Sequence, residues 1–374
     1  MKQFFLSLAC CFLIFMAKAQ VVSLNTAELA KLKNLIRTDT DVQKHWQILL
    51  ITANEALTAE PNPADTILTE GILQGDPRKT KTWKSLEDMQ KVYALSLAYK
   101  VTGAAKYLNK ANDFLFAWAT HNQPQGNPIN DTNLDRIIFA YDLLKTDLSA
   151  DANRVISFWL NRVATQEMKT FREATANKGS RKSFNNWNSH RIKAIVQVAT
   201  ALADKKLENF IVQAYLMQIS QNLKSDGSSF DFHERDALHY HIYDVDPLLV
   251  AATILNRNPK IKGDFYTYQA KEGRSLKKSV DWLVPYFTGE KTHAEWVNSK
   301  SAFDKKRAAN GEKGYIAGTF FKSSEASSTI ALAAYFDPKM LDIYRERTKI
   351  NSKYPTWQFV LNEVRRALPS QVER

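Results

Sequence analysis

Residues Ser85–Gly103 read SLEDMQKVYALSLAYKVTG. Leu86, Met89, Val92, Tyr93, Leu97 and Ala98 recur in this stretch at steps of three and four, which places them on one side of a helix. Ser85, ahead of Glu87 and Asp88, predicts an N-terminal cap. Gly103 predicts the stop, because glycine closes a helix in the left-handed conformation at least cost. The same period returns around 40–59, 104–121, 133–145, 149–175, 186–204, 206–224, 234–256, 273–287, 326–336 and 355–367. Asn25-Thr26-Ala27-Glu28 has the form of a capping box and opens a further helix over 29–36. Strand-like alternation is scarce. About a dozen helices on short connections imply repeated αα-hairpins. Such hairpins stack as a solenoid or close into a ring, and no solenoid-like repeat period is visible. The expected fold is all-α, an α/α toroid or incomplete barrel of about six to seven helical hairpins.

The start of the chain has a different character. Lys2 precedes an apolar run from Phe4 to Met16, and Ala17-Lys18-Ala19 has the small-residue form of a cleavage site. This predicts a signal peptide over 1–19, one domain over 20–374, and a periplasmic or secreted protein after cleavage near Ala19. Leu8-Ala9-Cys10 also resembles the end of a lipobox. The apolar run is short for a bilayer span, so membrane insertion is not expected. Both cysteines, Cys10 and Cys11, fall in the leader, which removes disulfides and thiol nucleophiles from the expected mature chain. Removing Lys2 and Lys18 from the +12 of the whole chain leaves +10. A basic exported protein suggests a polyanionic partner. No nucleic-acid-binding motif is present, so an acidic polysaccharide is expected rather than nucleic acid. A merely basic, solvated surface accounts for the charge equally well.

The chemistry concentrates in Asp226–Pro247, DGSSFDFHERDALHYHIYDVDP. Asp226-Gly227-Ser228-Ser229 is a turn signal. The helix after it has Leu238, Ile242, Val245 and Leu249 as an apolar stripe, with Tyr240, Tyr243 and Asp244 on other faces and Pro247 as a kink or restart. His233, His239 and His241 are three of the chain's seven histidines, and they stand beside Glu234, Arg235, Tyr240 and Tyr243. The bland alternative is an amphipathic face with satisfied polar tips. His239 and His241 offer two imidazoles, but residues two apart point to different sides of a helix, and no HExxH-type partner exists, so no metal is expected. A second cluster, RKSFNNWNSHR at 181–191, places Asn186 and His190 one turn apart. Ser183 or Asn185 is also a plausible helix cap there. Two longer connections interrupt the helices. QPQGNPINDTN at 123–133 offers amides, with Asn133 followed by Arg136. The second, 264–275 continuing at 288–315, is basic and aromatic and includes Lys305, Lys306 and Arg307. It reads as a lid lined for a polyanion or as a plain solvated loop.

Asn, His, Tyr and Arg without a serine or cysteine nucleophile suit proton abstraction next to a carboxylate. In a uronic-acid polymer, loss of the C5 proton builds charge on the C6 carboxylate, which Asn186 and Arg235 are placed to neutralise. His190 is then the base and Tyr240 the donor to the departing glycosidic oxygen, with Tyr240 able to do both on a syn substrate. Such β-elimination needs no cofactor. Hydrolysis by two of Glu234, Asp236, Asp244 and Asp246 is the alternative. A noncatalytic polysaccharide-binding protein is another, marked by stacked aromatics without a competent His/Tyr pair.

Four segments, SLEDMQKVYALSLAY (85–99), GNPINDTNLDRIIFAYDLL (126–144), NNWNSH (185–190) and the DG…ER…LHYH run (226–241), resemble the alginate-lyase superfamily of α/α-toroid polysaccharide lyases. The resemblance implies a polyuronate substrate, most of all alginate, and matches Tyr240 to the family's catalytic tyrosine. Relatives often place histidine directly after Asn-Asn, where this chain has Trp187, so His190 takes that role by inference. Their arginine also stands farther before the tyrosine than Arg235 does. Asn186, His190, Arg235 and Tyr240 are the expected catalytic set, with Trp187, Asn185, His239, Tyr243, Asn133 and Arg136 as substrate-binding candidates.

Overall fold

The computed structural model describes residues 20–366 except Lys178. The expected leader and its cleavage site lie outside these residues. Among the described residues there is no strand, only two isolated bridges. No described helix is long and apolar enough to cross a membrane.

Helices alternate between an outer and an inner layer, and the fold is an α/α toroid. Thr40–Ala56, Ala105–His121, Ala150–Ala176 and Lys205–Asn222 are outer. Each buries one stripe, as an amphipathic sequence requires. Asp88–Thr102, Asp135–Leu144, Asn186–Leu202, Leu238–Arg257 and Ser327–Ala333 are inner. They are buried nearly all round, and each packs on the next in that order. Sequence shows the difference only in part: Ile192-Lys-Ala-Ile-Val-Gln-Val-Ala-Thr-Ala201 is mostly apolar, and its narrow polar stripe of Lys193, Gln197 and Thr200 is itself buried. Trp357–Arg365 closes the ring by packing against Ser327–Ala333 and the first two helices. Polar ties hold this seam, with the Asn362 amide donating to the Ala331 carbonyl at 2.7 Å and Lys31 on Glu363 at 2.9 Å.

The capping box at Asn25 and Glu28 forms, and Gly103 closes its helix at φ 74°. Ser85 is a correction. It lies inside a helix, Pro77–Leu86, which the sequence pattern did not show, and the next helix starts at Asp88 without a side-chain cap. Asp76 caps the unpredicted helix and Pro77 occupies its first turn, both ordinary start signals. Pro247 does not restart its helix, which runs unbroken from Leu238 to Arg257 with the proline inside it. The apolar stripe expected there is too narrow a description, because Tyr240 and Asp244 are buried too. The break falls earlier, at Asp236, whose left-handed φ of 47° ends Phe230–Arg235.

Candidate active site

All five inner helices begin at one end of the ring. Gln90, Arg136, His190, Tyr243 and Ser328, each from the first turns of a different inner helix, line a cleft of about 780 Å³ there. It merges with a second cleft of about 490 Å³ through Trp83, Thr132, Asn133, His239 and Tyr243. Five positive helix ends facing one space favour a negatively charged occupant.

Tyr240 lines the second cleft. Its hydroxyl oxygen accepts from Arg235 at 2.7 Å and from Arg307 at 3.1 Å. The Arg235 guanidinium also lies over the Tyr240 ring, 3.7 Å from its centre. Trp296, Tyr315 and Tyr243 surround that ring. Two guanidiniums on one oxygen stabilise negative charge there and leave the hydroxyl proton free to be given. Asp304 fixes the arrangement: it accepts from Arg235 Nε at 2.6 Å and from the Ser299 hydroxyl at 2.6 Å, and sits 3.9 Å from Arg307. Burial works against the charge on Arg307, but Tyr240 and Tyr315 outweigh it and hold the guanidinium above its ordinary value.

The basic segment after 288 is therefore no solvated loop around these residues. Glu295, Trp296 and Asp304 are buried, and Ala302–Ala309 forms a helix carrying Asp304 and Arg307. Ala237 gives the Leu238–Arg257 helix no side-chain cap. Glu295 supplies it from the far segment, accepting from Leu238 N at 2.8 Å and His239 N at 3.1 Å. Arg307 is the functional residue that sequence reading left as one cation among several. Its spacing from Asp304, one helical turn, was the only available signal.

Asn186 opens its helix and lines the Tyr240 cleft. Its amide donates to Asp231 at 2.6 Å, and Asn222 donates to the other oxygen at 2.8 Å. Burial pushes the Asp231 carboxyl up to about 6 despite these donors. One Asn186 amide hydrogen remains for a ligand. Beneath it, Asp244 is fully buried: Oδ1 accepts from Ser189 at 2.5 Å, and Oδ2 has no partner among the described residues. Burial, then the charge of Asp231, pushes Asp244 well above the ordinary carboxylate range. A carboxyl raised in the folded state stabilises the fold below its unfolded value of about 3.9, and that stabilisation is lost as pH rises through the folded value. Asp244→Asn stays neutral throughout. Its melting temperature relative to wild type is expected to climb as pH rises above about 4. A constant difference contradicts this.

His190 shares its helix with Asn186, as the spacing predicts, but it lines the neighbouring cleft. It is buried, its ring 4.2 Å from that of Tyr243. Burial, then Lys193, holds its pKa well below the ordinary value, so the ring is neutral. Nδ1 is 2.8 Å from the Thr132 hydroxyl, and Nε2 is buried with no partner among the described residues. If Nδ1 donates to Thr132, the unpaired Nε2 is a base.

The remaining candidates divide. Trp187, His239 and Tyr243 line the cleft, with Lys182 Nζ 3.7 Å from the Trp187 ring centre. Asn133 also lines it, although its amide donates back to Ile129 and Asn130 in its own turn. Asn185 is a correction: its side chain caps the helix by accepting from Trp187 N, and it lines neither cleft. Arg136 lines the His190 cleft, bonded to Gln90 and over the Tyr93 ring. Arg235 also lines the cleft, and its bonds run to Tyr240 and Asp304. His241 is buried away from the cleft, 4.7 Å from Trp282 with Nε2 on the Ser279 carbonyl. Among the described residues no group of three or more His, Cys, Asp or Glu is placed to hold a metal ion. Of the four acids considered for hydrolysis, Glu234, Asp236 and Asp244 line neither cleft, and Asp246 is bonded to Thr329 at 2.5 Å.

The family model for alginate lyase matches residues 38–293. The chain belongs to the alginate lyase family. This family member is a polysaccharide lyase. Its fold matches an alginate lyase from Bacteroides ovatus at 18% identity and TM-score 0.61, covering 89% of this chain and 96% of that one. Alginate lyase A1-III from Sphingomonas species A1 matches at 18% identity and TM-score 0.59, covering 86% and 89%. A histidine-to-alanine variant of A1-III complexed with a tetrasaccharide matches at 18% identity and TM-score 0.57, covering 85% and 88%. No curated protein matches the chain in sequence.

The loop that carries Thr132 to His190 depends on one glycine. Gly126 has φ 68°, and a Cβ there would lie 2.4 Å from the Gln166 carbonyl oxygen. Gly126→Ala is expected to cost about 2 kcal/mol or more, from the left-handed backbone and the clash together. The urea midpoint should fall. An unchanged midpoint contradicts the close approach.

Proposed function

We propose that this lyase cleaves an acidic polyuronate, alginate first, by β-elimination centred on Tyr240. The observation that supports this most is the Tyr240 hydroxyl, held by Arg235 and Arg307 in a cleft on which inner-helix N-termini converge. Positive helix ends and guanidiniums draw in a chain of carboxylates. At the reacting residue, the remaining Asn186 amide hydrogen faces the C6 carboxylate and stabilises the charge that builds there. The C5–H bond breaks, the C4–C5 double bond forms and the C4–O bond breaks. A proton is delivered to the departing oxygen. On a syn substrate Tyr240 performs both transfers, since two guanidiniums stabilise its oxygen in the charged phase. On an anti substrate His190 Nε2, neutral and unpaired, takes the C5 proton and Tyr240 gives its own. The exposed indole of Trp83 and the rings of Trp187 and Tyr315 supply flat walls for sugar rings along the cleft.

The test is ultraviolet absorbance from the conjugated double bond when the purified protein meets alginate, polymannuronate, polyguluronate and glucuronan. A rise on alginate supports the reading, and a rise on glucuronan alone moves the substrate. New reducing ends without absorbance contradict it. We also propose that residues 1–19 are removed on export to the periplasm or beyond. N-terminal sequencing of the protein from that compartment should begin near Gln20, and recovery of the intact leader contradicts it.

A further inference from the structure

One cation of the Tyr240 cleft stands without an acid. Lys79, in the first turn of Pro77–Leu86, lines the cleft and is half-buried, whereas Arg78 and Lys81 on the same helix are exposed. Its ammonium donates to the Ile72 carbonyl at 2.9 Å, and no carboxylate lies within ion-pair distance of it among the described residues. Glu70 is the only acid among the described residues that line this cleft, and its carboxylate takes the Asn127 amide at 3.4 Å. A lysine in a first turn is also poorly placed for stability, because a helix N-terminus is already positive. The loop beside it does not depend on the ammonium. Asn130 Oδ1 accepts from Thr69 N at 2.9 Å and from Glu70 N at 3.0 Å. At the far end Gln74 N donates to Glu312 and the Asn310 amide donates to the Gln74 carbonyl, both at 2.9 Å.

Arg307 lines the same cleft. Its guanidinium lies 4.4 Å from the Phe303 ring centre and 4.5 Å from that of Tyr315, which fixes its plane. One terminal nitrogen is on the Tyr240 oxygen, and the other makes no hydrogen bond among the described residues. The two cations feel one another. Burial holds the Lys79 ammonium below its ordinary value; Glu312 opposes this and Arg307 adds to it. A bound anion would relieve both. Two cations on one cleft, each with donors to spare, describe a place for a carboxylate.

We propose that Lys79 is a substrate-binding residue which, with the free nitrogen of Arg307, holds a carboxylate of the polymer other than the one at the reacting carbon. That this is a second carboxylate rests on the proposed function, in which Asn186 takes the reacting one. Because Arg307 also reaches the Tyr240 oxygen, the carboxylate belongs to a residue next to the bond that breaks.

Two measurements test the site: steady-state kinetics on the polyuronate that gives the absorbance rise, and calorimetric titration of the Tyr240→Phe protein with tetrasaccharides of that polymer, or of alginate where none is cleaved. Lys79→Gln raises KM and Kd by about tenfold or more, the worth of a charged hydrogen bond. It leaves kcat within about twofold, because the lost contact is away from the reacting carbon. Lys79→Arg keeps the charge and recovers most of the affinity. Added salt weakens wild-type binding more steeply than that of Lys79→Gln, which a merely structural lysine would not produce. Melting curves check that the variants fold, and Lys79→Met replaces Lys79→Gln if that variant does not. Affinity indifferent to Lys79→Gln, an equal loss in Lys79→Arg, or a fall in kcat with KM unchanged overturns the assignment. Lys79-dependent binding with no elimination on any polyuronate overturns the proposed function and leaves Lys79 as a carboxylate-binding residue. Binding of no oligouronide overturns both.

Discussion

Tyr240→Phe is expected to lower kcat by about a thousandfold, within the range for loss of a general acid–base group. The fold should survive. The ring keeps its packing against Ala237 and Trp296, and Arg235 keeps Asp304. What is lost is the acceptor of two guanidinium donors, which costs about 1 to 3 kcal/mol of stability. KM should change little, because the hydroxyl acts when the bond breaks and adds little to binding the chain. Steady-state kinetics and a melting curve check both halves. A variant retaining most of its turnover removes Tyr240 from the chemistry.

Arg235→Met is expected to do two kinds of damage. Turnover falls about a hundredfold or more, because one of the two donors on the Tyr240 oxygen is gone. Stability also falls, because Asp304, only 2% exposed at its side chain, loses its main partner and retains the Ser299 hydroxyl and the more distant Arg307. Breaking a buried pair by removing one member costs about 3 kcal/mol, less here because Arg235 keeps some solvent contact. Asp304→Asn separates the effects by disturbing the anchor while leaving Arg235 in place. If Arg235→Met lowers turnover without moving the denaturation midpoint, the Asp304 tie carries no load. If it moves the midpoint alone, Arg235 serves structure only.

The layering of the ring was legible because period and polarity survive in sequence. Outer helices such as Ala150–Ala176 carry one apolar stripe, and the capping box at Asn25 announces the first helix outright. Inner helices were legible as helices but not as inner. The stripe read for Leu238, Ile242, Val245 and Leu249 assumed one wet face, and burial of Asp244 through Ser189 erases that face. Pro77–Leu86 and Lys339–Thr348 stayed hidden in charged, weakly patterned sequence.

The site divides along the same line. Tyr240, Asn186 and His190 stand in dense local clusters, so composition marked them. Arg307 and Asp304 lie more than sixty residues from Tyr240 in sequence and reach it only through the closed ring. Asn185 shows the reverse error. A helix cap has the polar side chain that sugar binding also uses, and sequence alone does not say which way it turns.

The most direct test of elimination is mass spectrometry of the oligosaccharides released from alginate in water enriched in heavy oxygen. Elimination takes nothing from solvent, so the account predicts unsaturated products with no heavy oxygen at the new ends. Products that gain a heavy oxygen at each cleavage and lack the double bond would contradict it.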